Sequence, residues 1–209
     1  MHWPYNRGET TGAPPKGVLL GMLEPYDGKL SRTVLRGTRG RKAPWSTRCR
    51  NIASREQMSR WWIDEPIVMG SSNPSDADLR DLRAQGFATL VCLLDPTEQS
   101  TNYRKEEAGM LGYSLREIPV RDFHPPSSAQ LLEFVTLAHT ASDRARVLVH
   151  CQGGTGRTGT MASAYWISKG LSKDAAVARV RQMRSGAVET QEQHGCLEEF
   201  EHEWRKRQT

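Results

Sequence analysis

The sequence has no long apolar run. The longest, such as ATLVCLL at 88–94, is far too short to span a bilayer. The opening MHWPYNRGETTGAPPK lacks the apolar stretch of a secretory signal. Cysteine is scarce as well. Cys49, Cys92, Cys151 and Cys196 stand far apart, with no C-x-x-C pair and no histidines at zinc-ligand spacing. That pattern excludes a disulfide framework and points to a reducing compartment. The expected setting is therefore cytoplasmic, with no membrane attachment, no metal and no cofactor.

Apolar residues are few, at 37%, and the deficit is uneven. Up to about residue 60 the chain is rich in Gly, Pro, Arg and Lys; from Trp61 onward it reads as an α/β protein long enough to bury a core. Charge divides the same way. Residues 1–60 hold 12 Lys and Arg against 4 Asp and Glu, and the remainder holds 17 against 20. The expected organisation is a basic, partly disordered extension over 1–58, followed by one domain over 59–209, acting as a monomer. Such an arm can attract nucleic acid or phosphorylated partners, though a solvated tail is the plainer reading. Trp3, Trp45, Trp61 and Trp62 hint that part of it packs on the body.

Periodicity predicts alternating strands and helices. A first strand is expected over 61–70, a helix closed by Gly86, a buried strand over 87–94, and a short helix over 104–111. An alternating strand at 113–120, a helix capped by Ser127 or Ser128, and a strand at 146–150 follow, with two helices near 173–184 and 190–206. This order implies a single α/β domain with a central, mostly parallel sheet flanked by helices. Ligands in such sheets bind beyond the carboxyl ends of the strands. The glycine-rich loop at 151–157, between the last strand and a helix, is where a site is expected.

That loop reads His150-Cys151-Gln152-Gly153-Gly154-Thr155-Gly156-Arg157-Thr158. Its glycines let successive N–H groups turn inward as an anion nest, and the following helix adds the positive end of its dipole. Such a field favours a thiolate at Cys151, which is a good nucleophile toward phosphorus. Arg157 supplies a planar fork that grips two phosphate oxygens. The hydroxyl of Thr158 is placed to stabilise the departing thiolate. The G-x-G-x-x-G spacing of dinucleotide loops is absent, as is the Lys-Ser/Thr pair of P-loop nucleotidases.

The run HCQGGTGRTGT matches the HCxxGxxRTG signature of the protein tyrosine phosphatase superfamily. Together with REIPVRDFHPPSSAQLLEF and GAVETQEQ, it makes residues 60–205 resemble the small atypical dual-specificity phosphatases, particularly the VHZ-like subgroup and its archaeal relatives. The resemblance implies a dual-specificity phosphatase domain working through a phosphocysteine on Cys151. It implies phosphate binding by Gln152, Gly153, Gly154, Thr155, Gly156 and Arg157. It also places the general acid at Asp122, kept protonated by partial burial beside Phe123, with His124 a lesser candidate.

In the classical tyrosine phosphatases, which this part of the chain resembles, a Q-T-x-x-Q stretch positions the hydrolytic water. The aligned stretch here is Glu189-Thr190-Gln191-Glu192-Gln193, so Glu189 and Gln193 are the supporting candidates and glutamate replaces the first glutamine. His150 is expected to tie the loop backbone, and Ser71, Ser72 and Asn73 to brace it. Cys92 and Cys196 read as small buried hydrophobes, a disulfide to Cys151 being the lesser reading. No variable position of the loop is basic, which disfavours a phosphoinositide. The expected substrate is a protein phosphotyrosine, with phosphoserine or phosphothreonine less readily taken. An RNA 5′-phosphate or small-molecule phosphate is the alternative, and a non-catalytic phosphate-binding module ranks below both.

Overall fold

In the computed structural model, residues 58–208 are described. The expectations for the basic arm, its attraction for nucleic acid and the packing of Trp3 and Trp45 lie outside them. Five strands, β1 (Arg60–Asp64), β2 (Val68–Ser71), β3 (Phe87–Leu94), β4 (Ser114–Val120) and β5 (Arg146–His150), form one sheet. Their order is β1-β2-β5-β3-β4. Only the β1–β2 pairing is antiparallel.

The expected first strand over 61–70 is in fact the β1–β2 hairpin. Pro66 has no N–H and cannot continue a ladder, and the chain reverses there, with Ile67 N–H donating to Asp64 O at 2.8 Å. The other elements fall close to the expected positions. The helices are α1 (Asp76–Ala84), α2 (Lys105–Met110), α3 (Ser128–His139), α4 (Gly156–Ser168), α5 (Lys173–Met183) and α6 (Gln191–Lys206). Ser75, Ser127 and Thr190 start α1, α3 and α6 through reciprocal capping boxes with Asp78, Gln130 and Gln193. Each box satisfies amide donors that a helix start otherwise leaves unpaired.

Each face of the sheet buries its own apolar layer. On one, Val91, Val147 and Val149 meet Phe134 of α3, Met161 and Tyr165 of α4, and Leu197 of α6. On the other, Leu90 and Leu148 meet Leu79 and Leu82 of α1 and Ala108 of α2. Helix α4 is almost wholly buried, which suits a helix with apolar or small residues on all sides. In the sheet register, Ser71 and Cys92 both stand opposite His150, so β2 and β5 end level with one another while β3 runs on to Leu94. The connections leaving those ends, and the one leaving β4, gather at a single edge.

Phe134 is fully buried, whereas Met110 is 80% exposed. Phe134→Ala should therefore lower unfolding free energy by about 3–5 kcal/mol, and Met110→Ala should change it by less than about 0.5 kcal/mol. Urea denaturation of the two variants measures the contrast.

Candidate active site

The chain leaves β5 at His150 and passes through 151–155 into α4. Cys151 is 3% exposed, and its Sγ accepts the Gly154 N–H at 3.2 Å. The Thr155 side chain makes no capping bond to the first turn of α4, so the leading amides of a 13-residue helix stay available to an anion.

What turns the amides inward is visible on the outside of the loop. Gln152 O accepts from Asn73 N–H at 3.1 Å, Gly153 O from Arg184 Nη2 at 2.8 Å, and Gly154 O from Trp61 Nε1 at 3.0 Å. In a trans peptide the carbonyl and the following N–H point in opposite directions. Three carbonyls tethered outward therefore aim the amides of Gly153, Gly154 and Thr155 toward the sulfur side. Gly154 has φ +70, and a Cβ there would lie 2.6 Å from Ser71 C and Ser72 N. Only glycine fits that conformation and that close approach. A Cβ on Gly156 would collide with the Glu189 carboxylate.

Arg157 is 2% exposed. Its Nη1 donates to Val120 O at 3.0 Å and its Nη2 to Gln99 Oε1 at 2.7 Å. Nη2 also pairs with Asp122 Oδ1 at 2.9 Å, and Gln99 Nε2 donates to Asp122 Oδ2 at 2.8 Å. Arginine, glutamine and aspartate thus form a closed ring. The expectation that Phe123 shields Asp122 is corrected. Phe123 is 64% exposed at φ +58, and the carboxyl group faces Arg157 instead. His124 turns back on its own segment, with Nδ1 2.8 Å from Asp122 O.

Gln193 is fully buried, and most of its amide is already engaged. Its Oε1 accepts from Glu189 N–H at 2.8 Å and Thr190 N–H at 3.4 Å, and its Nε2 donates to His124 O at 3.4 Å. It closes the capping box of α6 and ties that helix to the segment carrying Asp122. Glu189 is the exposed member of the pair, its carboxylate resting against Gly156. Thr158 Oγ1 and Ser71 Oγ are buried with no hydrogen-bond partner among the described residues, a state that costs about 1–3 kcal/mol for each such group.

His150 is fully buried and holds Tyr103 Oη at 3.1 Å through Nε2. Burial lowers its pKa to about 3, the main chain of Cys151 opposing the shift and the Arg157 cation adding to it. Cys92 shares the sheet face of His150, whereas Cys151 is one residue further and points to the other face. That geometry disfavours a Cys92–Cys151 disulfide, and both thiols are free, as is Cys196. Burial raises the Cys92 thiol and pushes Cys196 up to about 12. Cys196 is half-buried rather than fully enclosed.

Among the bracing residues, Asn73 was expected. It also ties in the next loop, with Nδ2 donating to Ser100 O at 3.0 Å and Oδ1 accepting from Asn102 N–H at 3.1 Å. Trp61, Arg184, Glu98 and Gln99 were not foreseen. Position alone could have flagged Glu98 and Gln99, which follow the carboxyl end of an interior strand. Nothing in the local sequence marks Trp61 or Arg184.

A mostly parallel sheet carrying a Cys-x5-Arg amide loop at its carboxyl edge defines the cysteine-dependent phosphatases of the protein tyrosine phosphatase superfamily. The chain belongs to the family described as PTP-SAK, the Swiss Army Knife protein DSP-PTPase phosphatase domain, whose model matches residues 56–197. It is a small atypical dual-specificity phosphatase by family and fold. It is 27% identical to mouse (Mus musculus) protein tyrosine phosphatase domain-containing protein 1, over 92% of this chain but only 28% of that protein. It is 29% identical to the phosphatidylglycerophosphate phosphatase PTPMT2 of Arabidopsis thaliana, over 88% of this chain and 82% of that protein. Among solved structures, Tk-PTP in the active form superposes with a TM-score of 0.62 at 36% identity, covering 69% of this chain and 97% of its own.

The His150 shift carries a pH signature. Above pH 6.5 both folded and unfolded states hold a neutral imidazole; below it the unfolded chain takes a proton that the native state refuses until about pH 3. Native stability should fall through that window, by up to about 1.4 kcal/mol per pH unit from this one group. His150→Gln should flatten the slope between pH 6.5 and 4.5 in urea-unfolding series, whatever its effect on absolute stability.

Proposed function

We propose that the chain hydrolyses phosphotyrosine in proteins, taking phosphoserine and phosphothreonine less readily, through a phosphocysteine on Cys151. The observation that carries this reading is the 2.9 Å approach of Asp122 to Arg157 beside an inward-facing amide loop. It supports a reading in which an acid, a phosphate clamp and a nucleophile share one edge of the sheet. The Cys151 thiolate attacks phosphorus while the bond to the leaving oxygen breaks, and Asp122 gives its proton to that oxygen. Arg157 and the amides of 153–157 hold the transferring group. A water then attacks phosphorus, its proton passes to Asp122, and the sulfur–phosphorus bond breaks to release phosphate. Thr158, whose buried hydroxyl has no partner among the described residues and makes no bond to Cys151 Sγ, is the candidate donor to the departing sulfur.

Exposed Phe123 beside Asp122 favours an aromatic leaving group. It is one of three large apolar side chains standing out among the described residues and adjoins the acid. A phospholipid monoester is the second reading, and the Arabidopsis relative favours it. The loop itself offers no lysine for further phosphates.

A panel of phosphotyrosine, phosphoserine and phosphothreonine peptides, phosphatidylglycerophosphate and 5′-phosphorylated RNA separates these substrates. The tyrosine peptides should give the highest kcat/KM, and preference for the lipid would overturn the protein assignment. Cys151→Ser should abolish turnover on every substrate, and Arg157→Lys should lower kcat/KM by at least about 10²-fold. With an added alcohol acceptor, Glu189→Gln should alter the partition of phosphate between alcohol and water. An unchanged partition would remove Glu189 from the hydrolytic step.

A further inference from the structure

The segment between β3 and α2 meets the phosphate loop through Gln99, which holds Arg157, and it also grips the acid segment firmly. Glu98 Oε2 accepts from the Asp122 N–H at 2.8 Å, and Glu98 Oε1 accepts from Arg121 Nε at 2.9 Å. The segment is stiffened from within. Asp95 Oδ1 accepts from Thr97 N–H at 2.9 Å and Thr97 Oγ1 at 2.7 Å, and Asp95 O accepts the amides of Glu98 at 3.0 Å and Gln99 at 2.9 Å. Pro96 fixes the backbone between them. The turn therefore presents Glu98 in a defined place.

Asp122 has three outside holds, and they differ in what substrate does to them. Arg157 must release it when a phosphate dianion arrives, because both compete for the same guanidinium. Gln99 binds Arg157 and Asp122 together, so its hold is shared with the phosphate site. Glu98 alone grips the main chain of Asp122 without touching Arg157 in any bond described. The next residue, Phe123, sits at φ +58, a conformation costly for a non-glycine residue unless its surroundings impose it.

We propose that Glu98 is the positioning residue for the general acid, anchoring the main chain at Asp122 so that the carboxyl group stays over the site once phosphate has displaced it from Arg157. The inference rests on Asp122 being that acid. The Glu98 carboxyl is held below its usual range first by the Asp122 amide and then by the Arg121 side chain, so it is a charged acceptor at neutral pH. An exposed Glu–Arg ion pair alone contributes little to stability, and a plain surface role predicts no effect tied to proton donation.

Leaving-group dependence tests this. Phenyl phosphate expels a phenol with a pKa of about 10, like tyrosine, and needs the proton; 4-nitrophenyl phosphate expels a far better leaving group and needs it much less. Glu98→Ala should lower kcat/KM about tenfold for phenyl phosphate and less than about twofold for 4-nitrophenyl phosphate, a fraction of the full general-acid contribution. Glu98→Gln, whose amide oxygen still accepts from the Asp122 N–H, should recover most of the loss. The ratio of the two substrates is taken on one preparation, so a partly unfolded variant leaves it unchanged. Equal losses on both substrates, or none on phenyl phosphate, would overturn the positioning role. Asp122→Ala run alongside separates the two levels. If it discriminates between the substrates and Glu98→Ala does not, only the Glu98 proposal fails; if it does not discriminate, the acid assignment fails and the proposal goes with it.

Discussion

The outward tethering of three successive carbonyls is the constraint on which the site depends. A glycine-rich loop of this length is free to adopt many conformations, and glycine makes that freedom larger. Asn73, Arg184 and Trp61 remove it by holding Gln152, Gly153 and Gly154 from behind. The amides then converge before any ligand arrives, so binding an anion does not have to order them. The bracing groups come from the loop after β2, the end of α5 and β1. The hairpin and the α5 packing are thus part of the phosphate site, though neither carries a reacting group.

The resting arrangement answers the electrostatic problem of a buried guanidinium. An unpaired charge at the depth of Arg157 is costly, and Asp122, Gln99 and the Val120 carbonyl satisfy it. The same ring orients the arginine fork and brings the acid segment over the loop. One set of bonds therefore satisfies the buried charge and holds the acid segment and the arginine fork in register.

The fold class and the position of the loop with Cys151 and Arg157 were legible because their signals are local: a strand, a fixed spacing of chemically necessary residues, and a helix start. Asp122 was singled out by the resemblance alone, and it lies 2.9 Å from Arg157. The capping box Thr190-x-x-Gln193 was equally local, and the structure shows that it takes up the Oε1 of the glutamine assigned to water positioning. What escaped was non-local or conformational. Trp61 braces a residue 93 positions away, and no short-range pattern marks that pairing. The hairpin was hidden because its two apolar strands read as one run across Pro66. The surroundings of Asp122 depended on Phe123 adopting a positive φ, which no propensity for phenylalanine foretells.

The register of β5 between β2 and β3 has a last consequence. Side chains on a strand alternate strictly, so whether a residue is odd or even along β5 decides which layer it enters. Leu148 and His150 fall on one side, Val149 and Cys151 on the other. Deleting a single residue from β5 while keeping its pairing would exchange the last two members, turning an imidazole toward the amides and sending the sulfur in beside Tyr103. Which of two adjacent residues can meet a phosphate is thus a matter of counting along a strand.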